Sequence, residues 1–332
     1  MMWKVTNNQN NVFLNSFKLK IIIKIFKIIL ELSGQRINSC SKKDFWKNTF
    51  SFRILKKEHK ELIDYIMNVQ LNKVRFSEVI VDLLTNNNRN TIKRIIRIYI
   101  IQNKKIESQD YAIVQQNVPD EIKRIFVDFY YNKFFVDQNI WSRLNLSEYN
   151  RTAFHENFKN ENNLSVCPYC DIDTVVTNSN NNIEHFFPKS KYPLICMNPY
   201  NLISSCIACN KAHEGKGDTA PTHPISTPYS EEIQNYIEFD MDFTDRKISL
   251  INKGSDRHRN YLKLLKLNNR YQTQSVFNSL DKKAKTLFDL CSKSGTIDMD
   301  VLESYLRLKA KDENLIVALN HLIKKYPQYR QH

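Results

Sequence analysis

The chain has 332 residues, 42% hydrophobic and 25% charged, which suits one large domain or two modest ones with a buried core. Only five glycines are present, so Gly-rich phosphate loops and barrels full of tight turns are disfavoured. The formal net charge of +14 is uneven: residues 1–150 hold 25 Lys/Arg against 14 Asp/Glu (+11), and residues 151–332 hold 24 against 21 (+3).

A basic excess of this size suits a polyanionic partner, because Lys and Arg release counterions from phosphates. Solubility alone would also account for it.

In chain order, residues 1–12 are polar and Asn-rich and read as disordered. Phe17 to Leu32 is apolar enough to suggest a signal peptide or membrane span. However, Lys20, Lys24, Lys27 and Glu31 interrupt it at helical spacing. It falls short of the ~18 apolar residues a span needs, and no small-residue cleavage site follows. It reads as an amphipathic helix packed on the protein or a partner, with membrane-surface contact as the minor alternative. No stable membrane insertion and a cytoplasmic location are expected.

Lys57 to Lys73 places Leu62, Ile63, Ile66 and Met67 at helical intervals, and Phe76 to Leu84 continues in that style with Ser77 as cap. Thr91 to Ile101 is helical by length or a strand by its β-branched content; helix is favoured. Pro119 opens a helix running to Phe135, with Asp120 and Glu121 in its first turn. Residues 161–218 are rich in Cys, Asn, Pro and His and broken into short pieces. Residues 219–240 read as a connecting loop, 241–253 as a hairpin, and the chain from Asp256 as helical again. The expected organisation is a basic helical region for DNA or partner binding (1–160), a metal-stabilised module (161–218), and a loop, hairpin and helical region (219–332).

Seven cysteines are present, and four form two pairs, Cys167-Pro-Tyr-Cys170 and Cys206-Ile-Ala-Cys209. Two Cys-x-x-Cys pairs supply the four thiolates of a closed tetrahedral Zn²⁺ site. The pattern points to structural zinc in a reducing compartment rather than a disulfide framework. Buried free cysteines or a redox pair are the weaker alternatives.

Between the pairs lies IEHFFPKS (183–190), followed by NLISSCIACN (201–210) and then Lys211-Ala212-His213. This segment resembles the HNH endonuclease superfamily, whose pattern is an acidic residue or His followed by His, then Pro, Asn-Leu, and Cys-x-x-Cys with His or Asn directly after. Glu184, His185, Pro188, Asn201-Leu202, Cys206, Cys209 and Asn210 fill those slots in order. The match covers about residues 165–217. The resemblance implies a mainly α protein carrying a small α+β, zinc-stabilised ββα-metal module.

It further implies a mechanism. His185 would be the general base that takes a proton from the attacking water. Glu184 and Asn210 would hold a single catalytic cation, Mg²⁺ or Mn²⁺. Asn201 would fix the loop that orients His185. If the helix after Cys206 continues, Asn210, His213 and Glu214 share a face, and His213 or Glu214 could complete the cation's shell. Lys189, Lys191, Lys211 and Lys216 could touch a DNA backbone, or simply be solvated. Two departures from the pattern, Glu for Asp before the His and Asn for His after the last Cys, both keep an oxygen donor.

The strings IEHFFPKSKYP (183–193) and NPYNLISSCIACNKAHEGKGD (198–218) resemble an HNH subgroup of bacterial anti-phage systems, Septu-type and retron-associated, that works beside an ATPase. Leu265-x-Leu267-x-x-Arg270-Tyr271 is also similar to that subgroup. The implied protein is an endonuclease acting on nucleic acid, DNA foremost, with an ATPase partner. A non-catalytic zinc-bound nucleic-acid-binding or scaffold subunit is the alternative.

Overall fold

The computed structural model describes residues 2–35, 44–176, 181–293 and 296–325; Cys40 lies outside them. The architecture is mainly helical with four two-stranded sheets among the described residues. It divides into two compact units, which cut the chain differently from its three sequence segments. One unit comprises Asn7–Phe158 with His185–Ile203, and the other comprises Met1–Thr6, Lys159–Glu184 and Ser204–His332.

The first unit is helical. Helix α1 (Asn8–Phe17) runs through a π turn, Lys18–Ile22, into α2 (Ile23–Leu32). Phe17, Ile21, Ile25, Ile28 and Ile29 form its buried stripe, while Lys27 stays in solvent, so the apolar run is the core-facing side of an amphipathic helix. Short α3 (Phe50–Arg53) and then α4 (Lys57–Asn68) follow. Helix α4 stops before a small hairpin of β1 (Gln70–Leu71) and β2 (Val74–Arg75). That hairpin shortens the helix expected to reach Lys73. Its turn residues Asn72 and Lys73 both have positive φ.

Helix α5 (Phe76–Asn86) is capped by Arg75 and Glu78, with the Arg75 N–H donating to Glu78 Oε2 at 2.9 Å. Ser77 is therefore inside the helix rather than its cap. Helix α6 (Arg89–Glu107) starts at Asn88, whose side chain accepts from the Thr91 N–H. Short α7 (Asp120–Lys123) widens into a π-helical stretch, Arg124–Lys133, and α8 (Gln138–Arg143) closes the set. Phe17, Phe76, Phe126, Phe129, Tyr130, Phe134 and Trp141 pack at 5–6 Å ring separations in the core of this unit. Segment His185–Ile203 joins this core, where Asn103 Nδ2 on α6 donates to the Leu194 carbonyl at 3.1 Å and Asn198 Nδ2 donates to Asn103 Oδ1 at 2.9 Å.

The second unit carries the two Cys-x-x-Cys pairs. Helix α9 (Arg151–Asn162) leads into it. Strands β3 (Asn181–His185) and β4 (Leu202–Cys206) pair, and β4 runs directly into a single helical turn, α10 (Ile207–Asn210). A hairpin of β5 (Ile237–Asp242) and β6 (Lys247–Asn252) follows, with Phe239 opposite Leu250 and Met241 opposite Ile248 on its buried face. It begins four residues earlier than the alternation from Met241 suggested. Helices α11 (Asp256–Leu264), α12 (Leu267–Tyr271) and α13 (Gln274–Cys291) come next, and α14 (Met299–Lys309) and α15 (Ile316–Lys325) complete the unit.

The N-terminus corrects the reading of disorder. Met2, Trp3 and Val5 are buried in the second unit, where Trp3 Nε1 donates to Asp171 Oδ1 at 3.0 Å. In the first unit Asn7 and Asn10 are also buried, and Asn7 Nδ2 donates to the Pro199 carbonyl at 2.7 Å. These carboxamides look like a solvated tract in composition, yet each carries donors and an acceptor that satisfy buried backbone. Among the described residues no helix is long and apolar enough to cross a membrane.

Candidate metal centre and active site

Cys167 and Cys170 lie in a tight turn, and Cys206 and Cys209 bracket the start of α10. All four are buried, and their sulfurs lie within 4.8 Å of one another. Cys167 Sγ to Cys209 Sγ is 4.0 Å, and Cys170 Sγ to Cys206 Sγ is 3.9 Å. Four ligands at a Zn–S bond of about 2.3 Å put tetrahedral sulfurs about 3.8 Å apart, so the cluster has the dimensions of such a site. It could hold a zinc ion.

Backbone N–H groups are aimed at the sulfurs: Ile172 N to Cys170 Sγ at 3.4 Å and Cys206 N to Cys167 Sγ at 3.3 Å. Burial and hydrogen bonds with the other three sulfurs push the Cys209 thiol well above its ordinary range. Burial raises the Cys170 thiol too, but hydrogen bonds with the other three sulfurs and the Arg270 charge hold it well below its ordinary range.

Two side chains of α12 buttress the cluster. Arg270 donates Nη1 to Cys209 Sγ and Nη2 to Asp173 Oδ2, and the Tyr271 hydroxyl donates to the Cys170 carbonyl at 2.7 Å. The Arg270-Tyr271 dipeptide is the one the anti-phage resemblance picked out. The sequence alone offered no role for it.

His185, at the end of β3, is buried with its Nε2 3.1 Å from the Cys196 carbonyl. A carbonyl only accepts, so Nε2 is the donating nitrogen in that bond. The ring meets Tyr131 edge-on at 4.4 Å between centroids. Lys189 and Arg151 lie over that same tyrosine, at 4.3 and 5.0 Å from its centroid. Sequence reasoning missed Tyr131, Arg151 and Cys196, because no spacing rule links a π-helical tyrosine to a histidine more than fifty positions away.

Asn201 is fully buried. Its Oδ1 accepts from the Phe187 N–H at 2.7 Å, and its Nδ2 donates to the Phe187 and Ile195 carbonyls at 3.1 and 3.2 Å. The Phe186 N–H donates to the Asn201 carbonyl at 2.9 Å. Asn201 thus ties down the two residues directly after His185.

Glu184 is 3% exposed and paired with Lys216, whose Nζ is 2.6 Å from Oε1. Lys216 is therefore neither solvated nor available to a DNA backbone as the sequence had allowed. A sequence signal existed: of five glycines in the chain, two flank this lysine, at 215 and 217. Asn210 is half-buried at the end of α10, and Lys211 leaves the helix in an extended conformation. The helix does not continue, so the shared face that would align Asn210 with His213 and Glu214 is not formed. His213 and Glu214 sit in exposed turns, Glu214 3.9 Å from Lys211. Among the described residues, the four cysteines are the only group of three or more His, Cys, Asp or Glu side chains gathered as for a metal.

No protein-family model matches the chain, and neither a curated protein nor a solved structure matches it.

Proposed function

We propose that this protein is a zinc-stabilised, metal-dependent endonuclease of the HNH type, hydrolysing phosphodiester bonds of nucleic acid, DNA foremost. The observation that carries the reading is the fixing of His185. Its Nε2 is tied to the Cys196 carbonyl at the end of a strand, and the residues after it are clasped by Asn201. A hydrogen bond of this kind directs the opposite nitrogen, Nδ1, to the proton-accepting role that a general base performs. The run of strand, strand and short helix, with the second cysteine pair at the start of the helix, supports the ββα-metal comparison.

In this reading His185 Nδ1 accepts the proton of the attacking water. Glu184 and Asn210 would hold a divalent cation, which neutralises charge on the phosphate and the leaving 3′ oxygen. Mg²⁺ commonly takes one or two carboxylates and fills the rest of its shell with water and phosphate, so a second acidic cluster is not required. Arg89, Lys93, Arg94 and Arg97 are exposed on α6 and fit a polyanionic partner. An anti-phage role beside an ATPase, in a reducing cytoplasm that preserves the thiolates, completes the proposal.

The deciding experiment incubates supercoiled plasmid and single-stranded RNA with the protein in Mg²⁺ or Mn²⁺. Cleavage by wild type that His185→Ala abolishes supports the enzyme. One observation favours the non-catalytic alternative: Glu184 already has a buried cationic partner. Binding of DNA by both proteins with no cleavage by either, under every condition, would establish that alternative.

A further inference from the structure

Lys216 is placed with unusual care. Its side chain is wholly buried, and its ammonium reaches Glu184 Oε1 at 2.6 Å and the Gly217 carbonyl at 3.0 Å. Its backbone N–H donates to the Cys209 carbonyl at 2.9 Å, which anchors the lysine to the second cysteine pair. The flanking glycines make that approach possible. A Cβ on Gly215 would collide with the Cys209 carbonyl, and a Cβ on Gly217, whose φ is +49, would collide with Ala212. Larger residues there would push the loop carrying Lys216 away from the cluster.

A buried ammonium on a buried carboxylate is costly to assemble, because both ions lose their hydration. Hydrophobic residues would fill the same space at lower cost, so the pair stands out against the surrounding core. Glu184 is also the carboxylate that the nuclease reading assigns to the catalytic cation. An ammonium and a divalent ion on one carboxylate repel each other strongly in a poorly solvated site.

We propose that Lys216 is the resident cation of Glu184, and that a divalent ion gains this carboxylate only as Lys216 leaves it. Lys216 then sets the metal affinity of the site and keeps it low when no substrate is bound. The inference rests on the nuclease reading for its claim that Glu184 is a cation ligand.

The test measures Mn²⁺ binding to the full-length, zinc-loaded protein by electron paramagnetic resonance. Wild type is compared with Lys216→Met and with the double variant Glu184→Gln/Lys216→Met. Lys216→Met removes the ammonium from Glu184 and should bind Mn²⁺ on the order of tenfold more tightly than wild type. The double variant should lose that gain. Equal affinity in wild type and Lys216→Met overturns the role of Lys216 and leaves the nuclease reading standing. Binding by neither protein overturns the cation at Glu184, and both inferences with it.

A readout on wild type covers the case in which Lys216→Met does not fold. Lysine acetylation followed by mass spectrometry should find Lys216 protected without Mn²⁺ and labelled once Mn²⁺ saturates the protein. Protection that persists at saturation overturns the proposal.

Discussion

Arg270 points its guanidinium at Cys209, with Nη1 2.8 Å from Sγ. Four thiolates around a divalent ion carry a net charge of −2, and here they are buried, so an adjacent cation offsets part of the cost of holding them there. Asp173, on the other arm of the fork, keeps the guanidinium plane in place.

The first prediction follows from that geometry. Arg270→Met should weaken the cluster by about 1.5–3 kcal/mol, the worth of a hydrogen bond to a charged group. Zinc transfer to a chromogenic chelator should speed up correspondingly. Arg270→Lys should recover part of the loss, because it returns the charge without the fork. Identical transfer rates in Arg270→Met and wild type would show that the contact is incidental.

Zinc itself should be stoichiometric and structural. Elemental analysis should find one zinc per chain, and Cys206→Ser or Cys170→Ser should lower it. The turn after Cys170 is where the unit is knitted together. Asp171 accepts from Trp3 Nε1 and the Val317 N–H, and Asn314 Nδ2 donates to the Ile172 carbonyl at 2.9 Å. Stripping the metal should therefore melt the C-terminal helices well before the aromatic core of residues 7–158. The expected melt has two transitions, of which only the lower responds to chelator. A single chelator-insensitive transition would refute a structural zinc.

The four cysteines were legible because Cys-x-x-Cys spacing is local and its chemistry is specific. The amphipathic helix over Phe17 to Leu32 was legible because its lysines recur at helical intervals. The buried N-terminus was not, since Asn7 and Asn10 look solvated until the backbone groups they serve are known. Lys216 was hidden for a similar reason: lysines are almost always exposed, and only its two glycines hinted otherwise. The end of α10 at Asn210 was also unreadable. Residues 211–214 carry good helix formers, yet the extended Lys211 and the fold-back of residues 215–217 onto Cys209 override that preference.

Asn201 gives a sharper test of the loop beside His185. Asn201→Ala leaves the Phe187 N–H and two carbonyls without this partner, at about 1–3 kcal/mol for each buried group left unsatisfied. Asn201→Asp keeps the acceptor for Phe187 N but turns a carboxylate oxygen toward the Phe187 and Ile195 carbonyls. The aspartate variant should therefore be no more stable than the alanine variant, despite its closer shape. Thermal melts decide this, and an aspartate variant as stable as wild type would contradict the hydrogen-bond assignment.

The last prediction separates His185 as a base from His185 as a core residue. A glutamine side chain is long enough for its amide N–H to donate to the Cys196 carbonyl and to lie against Tyr131, much as the imidazole does. What it lacks is a basic nitrogen on the opposite side. His185→Gln should therefore keep stability within about 1 kcal/mol of wild type and bind DNA with unchanged affinity. Its cleavage rate should fall by about 10²–10⁴, the usual contribution of a positioned general base. A large drop in melting temperature would mean that the ring is needed for packing. Cleavage retained within a few-fold would mean that the proton goes elsewhere, and His185 would lose its assigned role. Measuring stability, affinity and rate on this one variant distinguishes all three outcomes, because the substitution preserves the donor to the Cys196 carbonyl and removes the nitrogen to which the proposed mechanism assigns the proton.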